Sequence, residues 1–165
     1  MNVLITGGTG FIGSHVAVAL LQSNHEVVLF DNLKNSHREV LQNIEKITHR
    51  KPSFVCGNLL DTDLLIHTIQ KHQIIMVIHL AASKSIAESM NNPIHYYENN
   101  LSGTLSLFKA MEVCAVKKLV FSSSSAVYGE VDKCPIAEDF SPHPVNPYGQ
   151  SKWFIEEILK DKAKL

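Results

Sequence analysis

The chain has 165 residues, 45% of them hydrophobic and 19% charged, which fits one globular domain over residues 1–165 with a buried core. Its 15 basic and 16 acidic residues nearly cancel, so charge gives no reason to expect nucleic acid or an anionic membrane as a partner. The three cysteines are far apart, and no apolar run is long enough to span a bilayer. We expect a soluble, cytoplasmic protein without an export signal.

Short apolar runs rich in β-branched residues alternate along the chain with longer segments of helical period. The runs predict strands at residues 3–6, 26–30, 53–56, 74–80 and 117–122. The longer segments predict helices at 11–23, 36–47, 61–72, 95–113 and 147–160. Strands separated by helices predict a parallel sheet with its strands buried on both faces. We therefore predict an α/β fold, a Rossmann-type doubly wound sheet of five strands in the order 3-2-1-4-5 with helices on both faces.

The turn after the first predicted strand is rich in glycine. Gly8, Gly10 and Gly13 satisfy the pattern G-x-G-x-x-G, and Gly7 extends it. Glycines let the backbone come close to a pyrophosphate, whose charge then meets the free N–H groups of the following helix. The position between a strand and a helix favours a dinucleotide site over a glycine-rich turn without a ligand.

Asp31 ends the second predicted strand, where the dinucleotide pattern expects an acid that accepts hydrogen bonds from ribose hydroxyls. A 2′-phosphate would be repelled by this carboxylate, so the residue favours NAD over NADP. The alternative is that Asp31 only starts a turn with Asn32.

Tyr148 and Lys152 are four residues apart at the start of the last predicted helix, with Asn146 as the expected N-cap and Pro147 as the first helical residue. The spacing places both side chains on one helix face. A tyrosine that works as a base near neutral pH needs its anion stabilised, and a neighbouring lysine and the helix N-terminus both favour the anion. The pair is therefore a candidate for proton transfer.

Six stretches of the sequence resemble the extended short-chain dehydrogenase/reductase family: GGTGFIGSH, FDNLKNS, VIHLAASKSIAES, YYENNLSGT, FSSSSAVYGE and NPYGQSK. The resemblance is strongest to members that act on UDP-sugars, and it implies interconversion of UDP-glucose and UDP-galactose through a 4-keto sugar. It runs from Met1 to about Leu159 and covers the amino-terminal half of such an enzyme, so it implies a substrate lobe beyond this chain. The alternatives are NAD binding without turnover and another NAD-dependent nucleotide-sugar enzyme of the same family, a dehydratase or a decarboxylase.

The resemblance also assigns residues to the cofactor NAD. The pyrophosphate, the adenosine ribose, the adenine and the nicotinamide side are contacted in that order along the chain. The assigned residues are Gly7, Gly10, Phe11, Ile12, Gly13, Asp31, Asn32, Leu33, Lys34, Asn35, Ser36, Asn58, Leu59, Leu80, Ala81, Ala82, Ser83, Lys84, Asn99, Tyr148 and Lys152. Asn58 departs from the family, which usually has an acid there, but its carbonyl oxygen still accepts a hydrogen bond.

The catalytic group implied by the resemblance is Ser124, Tyr148 and Lys152. Tyr148 takes the proton of the sugar 4-hydroxyl, Ser124 binds the same substrate oxygen, and Lys152 holds the ribose and lowers the pKa of the tyrosine. The resemblance further implies a homodimer through helices 95–113 and 147–160. The apolar faces predicted to pair are formed by Tyr96, Leu101, Leu105, Phe108, Trp153, Ile155 and Ile158.

Other enzyme classes fit less well. A sugar-nucleotide dehydratase of the same family carries an Asp-Glu pair after the serine or threonine, and here Ser125 and Ala126 stand there. The serine run 122–125 lacks the elbow pattern of a hydrolase nucleophile. The nine histidines form no close pair with metal-ligand spacing, so we expect no metal, and His79 is expected to pack near the cofactor.

Overall fold

The computed structural model describes residues 1–131 and 134–164. Contacts between residues divide the chain into two compact units, Met1–Ala81 with Ser106–Ser122 and Ala82–Leu105 with Ser123–Leu165. The assignment of residues 1–165 to one domain stays a prediction. Within the described ranges, no helix is both long enough and apolar enough to cross a bilayer.

The first unit contains a parallel sheet of five strands in the order β3-β2-β1-β4-β5, which confirms the predicted fold class and strand order. Each strand lies within two residues of its predicted bounds. The strands are β1 (Asn2–Thr6), β2 (Glu26–Asp31), β3 (Ser53–Cys56), β4 (Met76–His79) and β5 (Lys118–Phe121).

The helices follow the predicted order with three differences. α2 begins three residues later than predicted, the short α4 was not predicted, and the predicted helix 95–113 is interrupted by a π-helical turn at Tyr97–Ser102. In the predicted loop 129–147, the described residues up to 146 form no helix or strand, and residues 132 and 133 lie outside the described part. The helices are α1 (Phe11–Gln22), α2 (Glu39–Thr48), α3 (Thr62–Lys71), α4 (Ile86–Asn91), α5 (Pro93–Tyr96), α6 (Gly103–Val113) and α7 (Pro147–Lys162), with a 3₁₀ turn at Ser125–Tyr128.

The core of the first unit forms on both faces of its central strands. Val3 and Ile5 of β1 pack with Ala17 of α1 and Ile44 of α2 on one face. Leu4 lies between them in the strand, points to the opposite face and is also buried. Burying each such side chain contributes about 1.5–3 kcal/mol, so this double layer holds the ends of β1 and β2 in place.

The prediction that all strands are buried on both faces is wrong for β3 and β5. Cys56 of β3 and Val120 of β5 are exposed, and Val120 retains 47% of its accessible surface. Both strands are the outer strands of the sheet, with a hydrogen-bonded neighbour on one side only. An apolar run identifies a strand but does not tell a central strand from an outer one.

Candidate active site

The glycine turn of the first unit connects β1 to α1 by a path on which Gly7, Gly8 and Gly13 lie too close to other atoms for a side chain. Gly7 has φ +69°, and a Cβ there would lie 2.7 Å from the backbone nitrogen of Ala81. A Cβ on Gly13 would lie 2.2 Å from the carbonyl oxygen of Gly7, whereas one on Gly10 would lie 3.2 Å from that oxygen. The helix can therefore start directly against the turn only because residues 7 and 13 have no side chain.

The N-terminus of α1 has the chemistry of a phosphate site. No side chain caps Gly10, and the first turn of the helix contains no acidic residue. Phe11 and Ile12, which were assigned to the pyrophosphate, are exposed at this end of the helix. Unsatisfied N–H groups and the positive end of the helix dipole fit an anion.

Asp31 ends β2 as predicted, and its carboxylate ties the next turn to the glycine turn. It accepts hydrogen bonds from the backbone N–H of Thr9 at 3.2 Å, from that of Leu33 at 2.9 Å and from the hydroxyl of Ser36 at 3.2 Å. The hydrogen bond from Leu33 belongs to the turn that the alternative interpretation of Asp31 expects. A turn alone does not explain the hydrogen bonds from Thr9 and Ser36. A carboxylate has about four acceptor positions, so one remains for a ribose hydroxyl.

Ser36 explains why α2 starts late. Its hydroxyl contacts the hydroxyl of Thr9 at 2.7 Å as well as Asp31, so it does not cap a helix at residue 36. The helix begins at Glu39 instead. Asn32, Lys34 and Asn35 are exposed in the segment between.

Asn58 and Leu59 follow β3. The side-chain oxygen of Asn58, which is predicted to accept from the adenine, accepts from the backbone N–H of Leu60 at 3.0 Å. The side chain is exposed, and this oxygen retains a second lone pair. Leu59 is buried.

His79, at the end of β4, is packed inside the first unit. It is buried, its Nδ1 lies 2.6 Å from the hydroxyl of Thr6, and its ring lies 5.7 Å from that of Phe121. Among residues 1–131 and 134–164, no three histidine, cysteine or acidic side chains are grouped as metal ligands would be. The backbone N–H of Leu80 donates to the carbonyl of Thr6 at 3.0 Å, and Ala81 follows it.

In the second unit, Asn100 joins the segment 82–84 to α7. It is buried; its side chain accepts from the N–H of Ser83 at 2.8 Å and donates to the carbonyl of Ser83 at 2.9 Å. It also donates to the hydroxyl of Ser151 at 3.2 Å, and Ser151 donates to the carbonyl of Tyr148 at 2.7 Å. The sequence assignment named Asn99 and did not include Asn100. Glu98, Asn99 and Asn100 are consecutive polar residues, so no local signal identifies the buried one.

α7 begins as predicted. The side chain of Asn146 accepts from the N–H of Gly149 at 2.8 Å, and Pro147 is the first helical residue. Tyr148 is half-buried in the first turn, and Lys152 is 97% buried one turn later. Burial lowers the pKa of the Lys152 ammonium to about 8, because water no longer solvates the charge.

A second tyrosine lies beside Tyr148. The ring of Tyr96 is buried, and its centroid lies 6.5 Å from that of Tyr148 at an angle of 84°. Its hydroxyl donates to Glu88 at 2.9 Å. Burial, with a smaller contribution from Glu88, raises the pKa of Tyr96 to about 12, so this phenol stays protonated.

Ser124 precedes the 3₁₀ turn of the same unit. Its hydroxyl accepts from the N–H of Ala126 at 3.2 Å, while the hydroxyl of the preceding Ser123 donates to Glu156 of α7. A Cβ on Gly149 would lie 2.4 Å from the carbonyl oxygen of Ala126, so the turn packs directly on α7. The second unit therefore holds the Ser124 segment on the helix that carries Tyr148 and Lys152.

A family model described as GDP-mannose 4,6-dehydratase matches residues 4–164. The chain belongs to this family. Among curated relatives, it is 47% identical to UDP-glucose 4-epimerase of Bacillus subtilis over 161 residues, which are 98% of this chain and 48% of that protein. It is also 47% identical to UDP-glucose 4-epimerase of Neisseria gonorrhoeae, over 99% of this chain and 49% of that protein. The chain thus spans about half the length of these relatives and matches their amino-terminal half.

Solved structures of this family have the same fold. UDP-glucose 4-epimerase from Stenotrophomonas maltophila, with bound NAD and formylated UDP-arabinopyranose, superposes with a TM-score of 0.97 at 44% identity, over 99% of this chain and 49% of that one. The enzyme from Bifidobacterium longum, in complex with NAD⁺ and UDP, gives a TM-score of 0.95 at 41% identity, over 98% and 48% of the two chains.

Proposed function

We propose that the chain is the NAD-binding half of a UDP-glucose 4-epimerase, with Tyr148 as the catalytic base. The observation that carries this proposal is the pair formed by Tyr148 and the buried Lys152 at the capped N-terminus of α7. The relatives and solved structures described above are 4-epimerases, and both of those structures contain NAD, which supports the same reaction here.

The residues of the first unit fit the cofactor. NAD supplies a hydride acceptor and donor when bound. The glycine turn at residues 7–13 lets the backbone pass directly against the start of α1, and the free N–H groups of α1 suit the pyrophosphate. Asp31 keeps acceptor capacity for the ribose hydroxyls, and its charge favours NAD over NADP.

The residues of the second unit carry out the proton transfer. Tyr148 takes the proton of the sugar 4-hydroxyl as the hydride leaves C4, and returns it when the hydride comes back to the other face of the 4-keto sugar. Ser124 donates a hydrogen bond to the same sugar oxygen. Lys152 stabilises the Tyr148 phenolate while its own ammonium is charged, which requires a pH below its pKa of about 8.

A dehydratase is the second candidate, because the matching family model carries that name. Expelling a 6-hydroxyl needs an acid and a base beside the catalytic serine or threonine. Ser125 and Ala126 follow Ser124, so neither group is present there. This observation favours the epimerase.

The experiment that decides uses a chimera, the chain completed with the remaining half of the Bacillus subtilis relative, which is incubated with NAD and UDP-galactose before the nucleotide sugars are separated. Formation of UDP-glucose supports the epimerase, and a 4-keto-6-deoxy sugar supports the dehydratase. NAD binding without any product supports a cofactor-binding role without turnover.

We also propose a homodimer through the helical segments 95–113 and 147–160, with a corrected surface. Tyr96, Phe108 and Ile155, which were predicted to pair between subunits, are buried within the chain. Leu105, which was also predicted to pair, remains exposed, and the exposed Phe154 is added to the proposed surface. Sedimentation at high micromolar concentration should give twice the monomer mass, and a strictly monomeric profile contradicts the proposal.

A further inference from the structure

The segment that carries Ser124 is fixed to α7 at two points. Before Ser124, the hydroxyl of Ser123 donates a hydrogen bond to the carboxylate of Glu156. After it, the carbonyl of Ala126 lies against Gly149, where a Cβ would come within 2.4 Å of the oxygen. Ser124 therefore lies between two anchor points, one in the first turn of α7 and one in its third.

Glu156 lies on the same face of α7 as the two proposed functional side chains. Tyr148, Lys152 and Glu156 follow one another at intervals of four residues, which places them on one helix face. Glu156 is half-buried there. The next residue, Glu157, is exposed and forms an ordinary surface ion pair with Lys160 at 2.6 Å. The two adjacent glutamates thus differ in partner and in surroundings.

The orientation of the Ser124 hydroxyl depends on where its segment lies. That hydroxyl accepts from the N–H of Ala126 at 3.2 Å, so it moves with the backbone of the 3₁₀ turn. A hydrogen bond to a carboxylate is stronger than one between neutral groups, so the contact of Ser123 with Glu156 can fix this backbone. A misplacement of about 1 Å in an orienting group can cost about a hundredfold in rate.

We propose that Glu156 is a positioning residue, which holds Ser124 in place beside α7 through the hydroxyl of Ser123. This inference rests on the proposed function, in which Ser124 binds the sugar oxygen. Glu156 touches neither substrate nor cofactor in this scheme. It acts through Ser123 and the backbone.

The test uses the full 165-residue chain with variants that separate the hydrogen bond from the rest of the side chain. Glu156→Leu removes the acceptor, and Ser123→Ala removes the donor. Glu156→Gln keeps a side-chain oxygen that can accept the same hydrogen bond. Glu157→Leu is the matched control, because it removes the neighbouring carboxylate and leaves the contact to Ser123. NAD affinity checks that each variant retains its fold.

Amide hydrogen exchange measures how firmly the Ser123–Glu156 contact holds the backbone, and it does not depend on turnover. Glu156→Leu and Ser123→Ala should each speed exchange at the Ala126 and Val127 amides about tenfold. The variant that carries both substitutions should exchange little faster than either alone, because both remove the same contact. Glu156→Gln and Glu157→Leu should exchange like the parent. Unchanged exchange in Glu156→Leu overturns the proposal.

Conversion of UDP-galactose measures the consequence for the reaction. Glu156→Leu and Ser123→Ala should lower kcat about tenfold or more with KM changed less than about threefold, and Glu156→Gln should restore most of kcat. If amide exchange becomes faster while kcat is unchanged, the contact between Ser123 and Glu156 has a structural role only, and the proposal is overturned. This activity measurement uses the chain completed with the remaining half of the Bacillus subtilis relative. If that parent chimera converts no UDP-galactose, the proposed function is refuted, and the exchange comparison then decides on the Ser123–Glu156 contact by itself.

Discussion

In the glycine turn of the first unit the backbone makes the close contacts, and side chains are missing where the chain must pass near itself. At the start of α7 in the second unit, buried polar side chains make the contacts instead. Gly7 and Gly13 represent the first arrangement, and Asn100, Ser151 and Lys152 the second. The first depends on the small size of glycine and, at Gly7, on a positive φ, whereas the second depends on charge and hydrogen bonding and carries a desolvation cost. Substitutions should therefore affect the two regions in different ways.

The largest effect is expected at Tyr148. Tyr148→Phe keeps the ring but removes the proton acceptor, so epimerisation should fall by about two to four orders of magnitude. Since the chain spans about half the length of its relatives, the assay uses a chimera completed with the remaining half of the Bacillus subtilis relative. NAD affinity should change little, because the glycine turn is untouched. A chimera that stays active with Tyr148→Phe contradicts the mechanism.

The buried lysine should reduce stability in a way that depends on pH. Its pKa is about 8 in the folded chain and 10.5 in the unfolded one, a difference worth about 3 kcal/mol. Below pH 8 the ammonium is charged in both states and the cost is fully present. Between pH 8 and 10.5 the folded state loses the proton first, so the free energy of unfolding should rise with pH.

Lys152→Met tests this dependence by urea unfolding. The variant should be more stable by about 3 kcal/mol at pH 7, and the rise between pH 8 and 10.5 should disappear. Lys160→Met, on the exposed face of the same helix, should behave like the parent. Equal stability of parent and Lys152→Met at pH 7 would show that the burial is not costly.

The glycine turn should respond to size. Gly13→Ala places a Cβ 2.2 Å from the carbonyl oxygen of Gly7, so the turn must move, and we expect a loss of about 1–3 kcal/mol in stability together with weak NAD binding. Gly10→Ala is the matched control for stability, because its Cβ would lie 3.2 Å from the same oxygen, although Gly10 is itself assigned to NAD. Thermal unfolding measures the loss of stability, and calorimetry with NAD measures the loss of affinity. Equal losses of stability in the two variants would argue against the close approach.

The smallest expected effect is cofactor selectivity. Because the charge of Asp31 opposes a 2′-phosphate, NAD should bind at least tenfold more tightly than NADP, about 1.4 kcal/mol or more. Asp31→Asn should narrow this ratio. Equal affinities of the unmodified chain for both dinucleotides in calorimetry would refute the assignment.

Sequence reasoning succeeded where the signal is local. The cap at Asn146, the helix start at Pro147 and the position of Asp31 at the end of β2 each follow from residue type and spacing over a few positions. The strand order followed from the alternation of strands and helices together with the glycine turn. These features need no knowledge of distant contacts.

It failed where a residue's role depends on distant partners. Periodicity could not tell that Asn100 rather than Asn99 is the buried member of the pair, since that depends on Ser83 and Ser151. It placed Tyr96 on a subunit face although the side chain is buried against the second unit's own residues. The contact between Ser123 and Glu156 joins positions 33 residues apart, and no local sequence pattern predicts it.

The π-helical turn at Tyr97–Ser102 makes the length of this segment a constraint of its own. A π-helical turn accommodates an additional residue within an otherwise α-helical path. Removing one residue from it would let the path become regularly α-helical, and the flanking helical turns would keep their orientation because only the additional residue is lost. The residues within the turn would be repositioned, so Asn100 would lose its alignment with Ser83 and Ser151. A single-residue deletion here should therefore cost the contacts of Asn100 and spare the path of the helical turns on either side.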